Sequence, residues 1–281
     1  MAEKHSRPKL RSESVDDESA SSLTAALQEE ADSQSRKDEL RKTVVRRLVG
    51  WSGRREPLVG EITEWLATEI IFGDLSPGSS LDSVNLARRF NVSRTPVRGA
   101  LMLLEHEGLV EIRARRRPWV SAPSPREIRE IYNLRAQLLA IMVRELEAKV
   151  TNEQIDELQS CVELVRASVK AADPDGYFFR HVEFQDRMME FTGNSTLKRV
   201  IDSLALRTLV LRHVSATSPG RMEVGAHEQE QLVNAIASHD ADLAAAIISH
   251  STHQALLTVE RAWRARLIAV EETTWSQPLR G

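Results

Sequence analysis

The chain has 281 residues, of which 28% are charged, 41% hydrophobic and 5% aromatic, with a formal net charge of −3 at pH 7. That hydrophobic fraction supports a buried core and excludes wholesale disorder, and the length allows one large domain or two ordinary ones. No apolar run approaches the ~20 residues of a membrane span, the N-terminus lacks a secretory apolar stretch, and the lone cysteine, Cys161, can form no internal disulfide, so a soluble cytoplasmic protein is expected.

Residues 1–56 read as a disordered polar tail. Ser, Glu, Asp, Lys and Arg dominate there, and burial cannot repay the entropy of ordering them. Within it, Leu40 to Trp51 could form a basic amphipathic helix with Val44, Val45, Leu48 and Val49 on one side.

From Leu58 the pattern turns helical. Leu58, Ile62, Trp65, Leu66 and Ile70 recur at helical spacing, and Gly73 stops the run. Pro77-Gly78 marks a turn, and Ser83 to Phe90 reads as a second helix with Val84, Ala87 and Phe90 on one face. After a tight turn at Asn91-Val92, Ser93 is placed to cap a third helix and Pro96 falls inside its first turn, where a missing N–H costs nothing. Val97, Leu101 and Leu104 form its buried stripe and Gly108 closes it.

The period then changes to two. Leu109–Arg113 predicts a strand, Ala114–Arg117 an arginine-rich turn and Pro118–Val120 a returning strand. Helices joined by a tight turn and followed by a hairpin make a winged helix-turn-helix, spanning 58–122. Ser121–Pro125 is a linker by composition. Helical segments are expected near 125–149, 151–171, 175–192, 194–214, 223–238 and 240–268, then a polar tail at 269–281. The fold class is therefore mainly α: an N-terminal winged helix-turn-helix with a small β-wing, and an all-helical bundle at 125–268.

A near-neutral total charge does not suggest a nucleic-acid binder, yet the distribution does. Arg88 to Arg117 holds eight arginines against three acids and no lysine, a local +5, while residues 121–281 net −4. In a helix-turn-helix the N-terminal end of the third helix meets base edges and phosphates. Ser93, Arg94, Thr95 and Arg98 occupy that end, with Arg94 and Arg98 four apart on one face. Either arginine can take guanine bidentately, and Thr95 can donate to a phosphate. Arg115, Arg116 and Arg117 in the wing turn suit the backbone or the minor groove. The alternative is that these arginines are solvated or paired with Glu105 and Glu107.

Phe72-Gly-Asp-Leu-Ser-Pro-Gly78, Leu86-Ala87, Val92-Ser-Arg-Thr-Pro-Val-Arg98, Ala100-Leu101 and Leu104-Glu-His-Glu-Gly-Leu-Val110 resemble the GntR family of bacterial transcription regulators. The helical remainder, with Ile131-Tyr-Asn-Leu-Arg135 and Phe191-Thr-Gly-Asn194, is similar to the FCD effector domain of its FadR subfamily. The resemblance implies a homodimer, a repressor in the usual case, that binds a short inverted repeat in double-stranded DNA and is controlled by a small-molecule effector held in the bundle. Three positions depart from the family pattern: Gly99 where Glu is usual, Arg117 where the wing commonly has Gly, and Val84 where some FadR-type members have an arginine.

Many FCD domains hold a divalent metal with one Asp and three His. The resemblance puts His181, Gln185 and Gln229 at the first three positions, and Ser251, or His250 if the register slips by one, at the fourth. Glutamine is a poor ligand for Zn²⁺ or Ni²⁺, so no metal site is assigned. A metal-dependent site rearranged around His181 and His250, or using His227 or His253, stays open. Without metal, Arg135 can hold a carboxylate bidentately, and His181, Gln185, Gln229 and His250 complete a ring of polar groups, with Arg212 and His213 as weaker candidates. The expected effector is a carboxylate or fatty-acyl compound. Leu138, Ile141, Met142, Met188 and Met189 read as core.

An enzyme fused to a DNA-binding module is the contrasting class. The second half has only Lys149, Lys170 and Lys198, lacks a glycine-rich phosphate loop, and places Ser160-Cys161 in a helical stretch without strand-turn-helix context. No catalytic residue is assigned.

Overall fold

The computed structural model describes residues 39, 41–43, 45–46 and 57–275. Val44, Leu48 and Val49 of the expected amphipathic stretch, most of the expected tail at 1–56, and residues 276–281 lie outside the described residues.

From Pro57 onward three helices come first: α1 (Pro57–Phe72), α2 (Ser83–Arg89) and α3 (Arg94–His106). Asp82 caps α2, accepting from the amides of Val84 at 2.8 Å and Asn85 at 3.4 Å. Asn91, at φ 53°, makes the turn between α2 and α3, a left-handed conformation that asparagine tolerates. Ser93 precedes α3 in extended backbone but makes no side-chain cap, contrary to the capping expectation. Its hydroxyl is thereby left exposed at the helix start.

The wing is shorter than its sequence pattern. β1 is Val110–Glu111 and β2 is Trp119–Val120, antiparallel, with Val110 opposite Val120 and Glu111 opposite Trp119. Pairing of β2 is shared with the segment before α2: Val120 donates to Ser79 O at 2.9 Å and Leu81 donates to Pro118 O at 2.7 Å. The wing turn crosses the left-handed region at Arg115, φ 61°, and not at Arg117, where the resemblance places a glycine.

The bundle comprises α4 (Pro125–Glu147), α5 (Asn152–Lys170), α6 (Pro174–Thr192), α7 (Ser195–Ser203), α8 (Ala205–Ala216), α9 (Arg221–Ala237) and α10 (Ala241–Trp275). Reciprocal capping boxes start α4 (Ser124 with Glu127) and α5 (Thr151 with Gln154). The single helix expected over 194–214 is two, broken at Leu204, and the last helix continues through the expected polar tail to Trp275. α10 packs chiefly on α4, and also against α9 and α8. No described helix is long and apolar enough to cross a membrane.

The winged domain and the bundle share one apolar core. Ile62, Leu66, Val97 and Leu101 belong to the same buried cluster as Tyr132, Phe178, Leu209 and Trp263. At the join, the Phe72 ring stands edge-on to Phe178 (centroids 5.9 Å apart) and to His213 (4.8 Å). Trp263 Nε1 donates to Pro123 O at 3.0 Å, fixing the linker. Upstream, within the stretch read as a tail, the described residues are helical, and Val45 is fully buried in this cluster. A second cluster, including Leu139, Leu158, Phe184 and Met188, fills the rest of the bundle. Met142, Met188 and Met189 are buried as expected and Leu138 packs against them, but Ile141 faces outward from α4, 46% exposed.

Candidate functional site

The first candidate surface is the leading end of α3. Val97, Ala100, Leu101 and Leu104 bury one face, which turns Ser93, Arg94, Thr95 and Arg98 outward, all exposed. Neither Arg94 nor Arg98 is ion-paired to another described residue, and Glu105 is otherwise engaged, its Oε1 accepting from Ile112 N at 3.3 Å. A concavity of about 470 Å³ lined by Val84, Arg88, Asn91 and Arg94 runs between α2 and α3. In the wing, Arg115, Arg116 and Arg117 are exposed; Arg117 approaches Asp82 at 3.4 Å, while Arg115 and Arg116 have no ion pair among the described residues. Arg113 lies over the Trp119 ring at 4.6 Å, so one wing arginine is spent on stiffening the hairpin.

A second site lies inside the bundle, where α4, α6, α8, α9 and α10 meet around a cavity of about 40 Å³. Its wall brings together Tyr132, Arg135, His181, Gln185, Arg212 and Arg221, with Tyr177, Ser251 and Thr252. Arg135, 6% exposed, donates to Gln185 Oε1. Gln185 then turns its amide nitrogen toward His181 Nε2 at 3.3 Å. An imidazole that accepts at Nε2 carries its proton on Nδ1, and Gln229 lies against Nδ1. That proton calls for the Gln229 oxygen, an atom otherwise buried without a partner. Burial, with Arg212, Arg221 and Arg135 nearby, holds the His181 imidazole well below its usual range and therefore neutral.

Opposite, Arg221 donates to Glu228 Oε2 at 2.7 Å, and Ser251 Oγ donates to the same oxygen at 2.6 Å. Three guanidiniums thus crowd one small space. Burial and the Arg135 charge pull Arg212 down to about 9. Burial pushes the Tyr132 phenol up to about 12, leaving it a neutral hydrogen-bond donor. Arg212 Nε and Nη2, Arg221 Nη1 and Tyr132 Oη are all shut off from solvent with no hydrogen-bond partner. Tyr177 reaches the wall because α9 carries Gly225 beneath it: a Cβ there would lie 2.0 Å from the Tyr177 hydroxyl.

Of the residues expected here, Arg135, His181, Gln185 and Gln229 come together. His250 does not: it is exposed on the outer side of α10, and one residue on, about 100° around the helix, Ser251 faces the cavity. His227 and His253, in the alternative metal grouping, are also exposed. No group of three or more His, Cys, Asp or Glu that could hold a metal occurs among the described residues. His213 points away from the cavity, to Asp175 Oδ1 at 3.2 Å. Tyr132, Tyr177 and Arg221 were not legible as site residues, since each sits in ordinary helical sequence and meets the others only through the packing of separate helices.

A winged helix-turn-helix with an exposed arginine face, joined through a common core to a helical bundle with a polar cavity, defines a DNA-binding transcription regulator. The comparisons give that class a family. Residues 58–120 match the family described as bacterial regulatory proteins, gntR family, and residues 130–254 match the FCD domain. The chain is 29% identical over 154 residues to the gluconate operon transcriptional repressor of Bacillus licheniformis, covering 52% of this chain and 63% of that protein. It is 23% identical over 187 residues to the HTH-type transcriptional repressor RspR of Escherichia coli K12, covering 66% and 82%. Among solved structures, E. coli McbR/YncC aligns with a TM-score of 0.62 at 20% identity, over 74% of this chain and all of that one. A putative GntR regulator from Rhodococcus sp. RHA1 aligns with a TM-score of 0.59 at 18% identity, over 72% and 96%. The chain belongs to the GntR family of transcription regulators, with an FCD domain as its second part. The fused-enzyme alternative falls away, because the bundle is itself the FCD domain of a regulator.

Proposed function

We propose that this chain is a FadR-type repressor that works as a homodimer. Residues 58–122 read a short inverted repeat in double-stranded DNA, and residues 125–268 bind a small carboxylate or fatty-acyl effector and dimerise. The observation that carries the DNA reading is the pair Arg94 and Arg98, exposed on one face at the start of α3 and ion-paired to no other described residue. Arg115 and Arg116 hold the DNA backbone from the wing, and Ser93 and Thr95 donate to phosphates beside them. Names of relatives such as the gluconate operon repressor favour repression. Leu134 and Ile141, seven residues apart on α4 and 48% and 46% exposed, offer an apolar strip to a second copy. Arg135, His181, Gln185 and Gln229 surround the effector, which acts by changing the spacing of the two α3 helices. Work on DNA fits a cytoplasmic location.

The test is selection of bound fragments from genomic DNA, followed by affinity measurements at one fixed salt concentration. A discrete palindromic site lost in Arg94→Ala and Arg98→Ala supports the reading; unchanged affinity in both variants sinks it.

A further inference from the structure

The resemblance to metal-binding FCD domains puts His181, Gln185, Gln229 and Ser251 at the ligand positions, and the structure allows a test of fit. Both ring nitrogens of His181 face glutamine amides, one accepting from Gln185 and the other carrying the proton shared with Gln229. Ser251 spends its hydroxyl on Glu228, and Glu228 is already held by Arg221. The one carboxylate beside them, Glu228, is taken up by Arg221 and Ser251, and no group of three His, Cys, Asp or Glu that could hold a metal occurs among the described residues. These residues do not fit a metal.

What gathers there is positive charge of the protein's own. We infer that the cavity is a metal-free oxyanion site in which Arg212 is the anchor, taking a carboxylate or phosphate group of the effector on its Nε–Nη2 edge. The inference rests on the reading of this cavity as the effector site and specifies what that site recognises.

Three observations converge. Once Gln229 turns its oxygen to His181, every remaining unpartnered buried atom on the wall is a donor: Arg212 Nε and Nη2, Arg221 Nη1 and Tyr132 Oη. Unmet donors of this kind cost free energy until an acceptor arrives, and one oxyanion, with several lone pairs, can accept from more than one of them. The Nε–Nη2 edge is also the side of a guanidinium that meets two oxygens in parallel.

Charge gives the second argument. Glu228 answers Arg221, and Asp186 lies near Arg135 and Arg212, which leaves three guanidiniums against two carboxylates. Neutral His181 adds nothing to either side. A negatively charged group relieves the crowding of Arg135 and Arg212, which share one nearby carboxylate, Asp186.

Size is the third. A water needs roughly 10–15 Å³ of such volume, so a cavity of about 40 Å³ takes about three waters or one small oxyanionic group. A fatty chain does not fit in this arrangement of the helices, so of the two effector classes proposed above the cavity favours the small carboxylate.

The experiment uses the full chain, stripped of metal and free of phosphate and carboxylate buffers. Calorimetric titrations with inorganic phosphate, acetate, malonate and succinate, each with EDTA present, separate the two sources of oxyanion. Zn²⁺ and Ni²⁺ are titrated alone. Saturable binding of one of these anions in EDTA, weakened at least about tenfold by Arg212→Ala, is the expected result. Arg212→Lys should recover only part of it, because an ammonium cannot pair with two oxygens side by side. Tyr132→Phe, which removes one donor and no charge, should weaken binding less than Arg212→Ala and provides a variant of nearly unchanged volume. Anion binding that requires Zn²⁺ or Ni²⁺, or that survives Arg212→Ala intact, overturns the inference while leaving the effector reading in place. Binding of none of these anions, with a neutral small molecule raising the melting temperature instead, overturns it equally. Failure of the effector reading looks different: anion binding lost in Arg212→Ala, with operator affinity identical with and without the anion.

Discussion

Arg41 donates to the Asp175 carboxylate at 2.7 Å, so a residue upstream of the DNA-binding domain is fastened to the first turn of α6 in the bundle. The same guanidinium lies over the Phe72 ring at 4.7 Å and comes within 3.7 Å of Asp74. Asp175 in turn meets His213 at 3.2 Å. One ion pair therefore joins three parts of the chain: the upstream segment, the end of α1 and the bundle.

With both side chains largely buried, Arg41→Ala should cost about 1.5–3 kcal/mol of stability, the range for hydrogen bonds to charged groups. Urea denaturation of the full chain measures it. Asp175→Asn should cost a similar amount, and the double variant much less than the sum, because both remove one interaction.

Burial by itself would raise the Asp175 carboxyl, but hydrogen bonds from His213 and Arg41 lower it to about 2. A folded value below the unfolded one, near 3.8, means that the stabilisation is complete above about pH 4 and is lost as the pH falls through 2. The stability difference between the native chain and Asp175→Asn should therefore stay level down to about pH 4 and shrink below it. A difference that instead vanished on raising the pH would contradict the assignment.

His181 works in a higher window. Its folded value lies well below 6.5, so on acidification the unfolded chain takes up a proton there before the folded chain does. Stability should fall as the pH drops below about 6.5, and His181→Gln should flatten that slope in thermal melts.

The two arginine groups should separate by mechanism. Arg94→Ala or Arg98→Ala should relax discrimination at one operator position by about 1–3 kcal/mol. Arg115→Ala or Arg116→Ala should weaken all sequences alike and reduce the slope of log affinity against log salt by about 0.9 for each phosphate no longer neutralised. Binding titrations over a salt series with matched and mismatched operators distinguish the outcomes.

Gly108 ends α3 at φ +75°, and a Cβ there would lie 2.0 Å from Arg207 Nε of α8. Gly108→Ala should lose about 1–2 kcal/mol, mostly to the left-handed backbone, since the tip of an arginine can move aside. Adding Arg207→Ala should then cost little more; a double variant markedly more stable than Gly108→Ala would show that the steric part dominates.

Local signals made the first domain legible. Asn91, Gly73 and Gly108 each do nearby what their chemistry suggests, and the stripe Val97, Leu101, Leu104 leaves only one outward face for Arg94 and Arg98; the Asp82 cap was not read, and the Ser93 cap that was expected does not form. The strands were overextended because Ile112 and Arg113 continue a period of two that pairing does not follow; the edge of β2 is taken by Ser79 and Leu81 instead. Leu204 breaks a helix with no glycine or proline to announce it. Around the cavity, four expected residues came from family likeness, and Arg212 ranked low because its partnerless edge exists only once five helices have packed.

The Phe72 ring, held between Phe178, His213 and Arg41, limits how far this molecule can be treated as modular. A chimera made by grafting the reading head of a relative at the Ser121–Ser124 junction would inherit a foreign residue at that socket. Heads and bundles of such proteins should recombine only when the residue at position 72 and its receiving ring travel together.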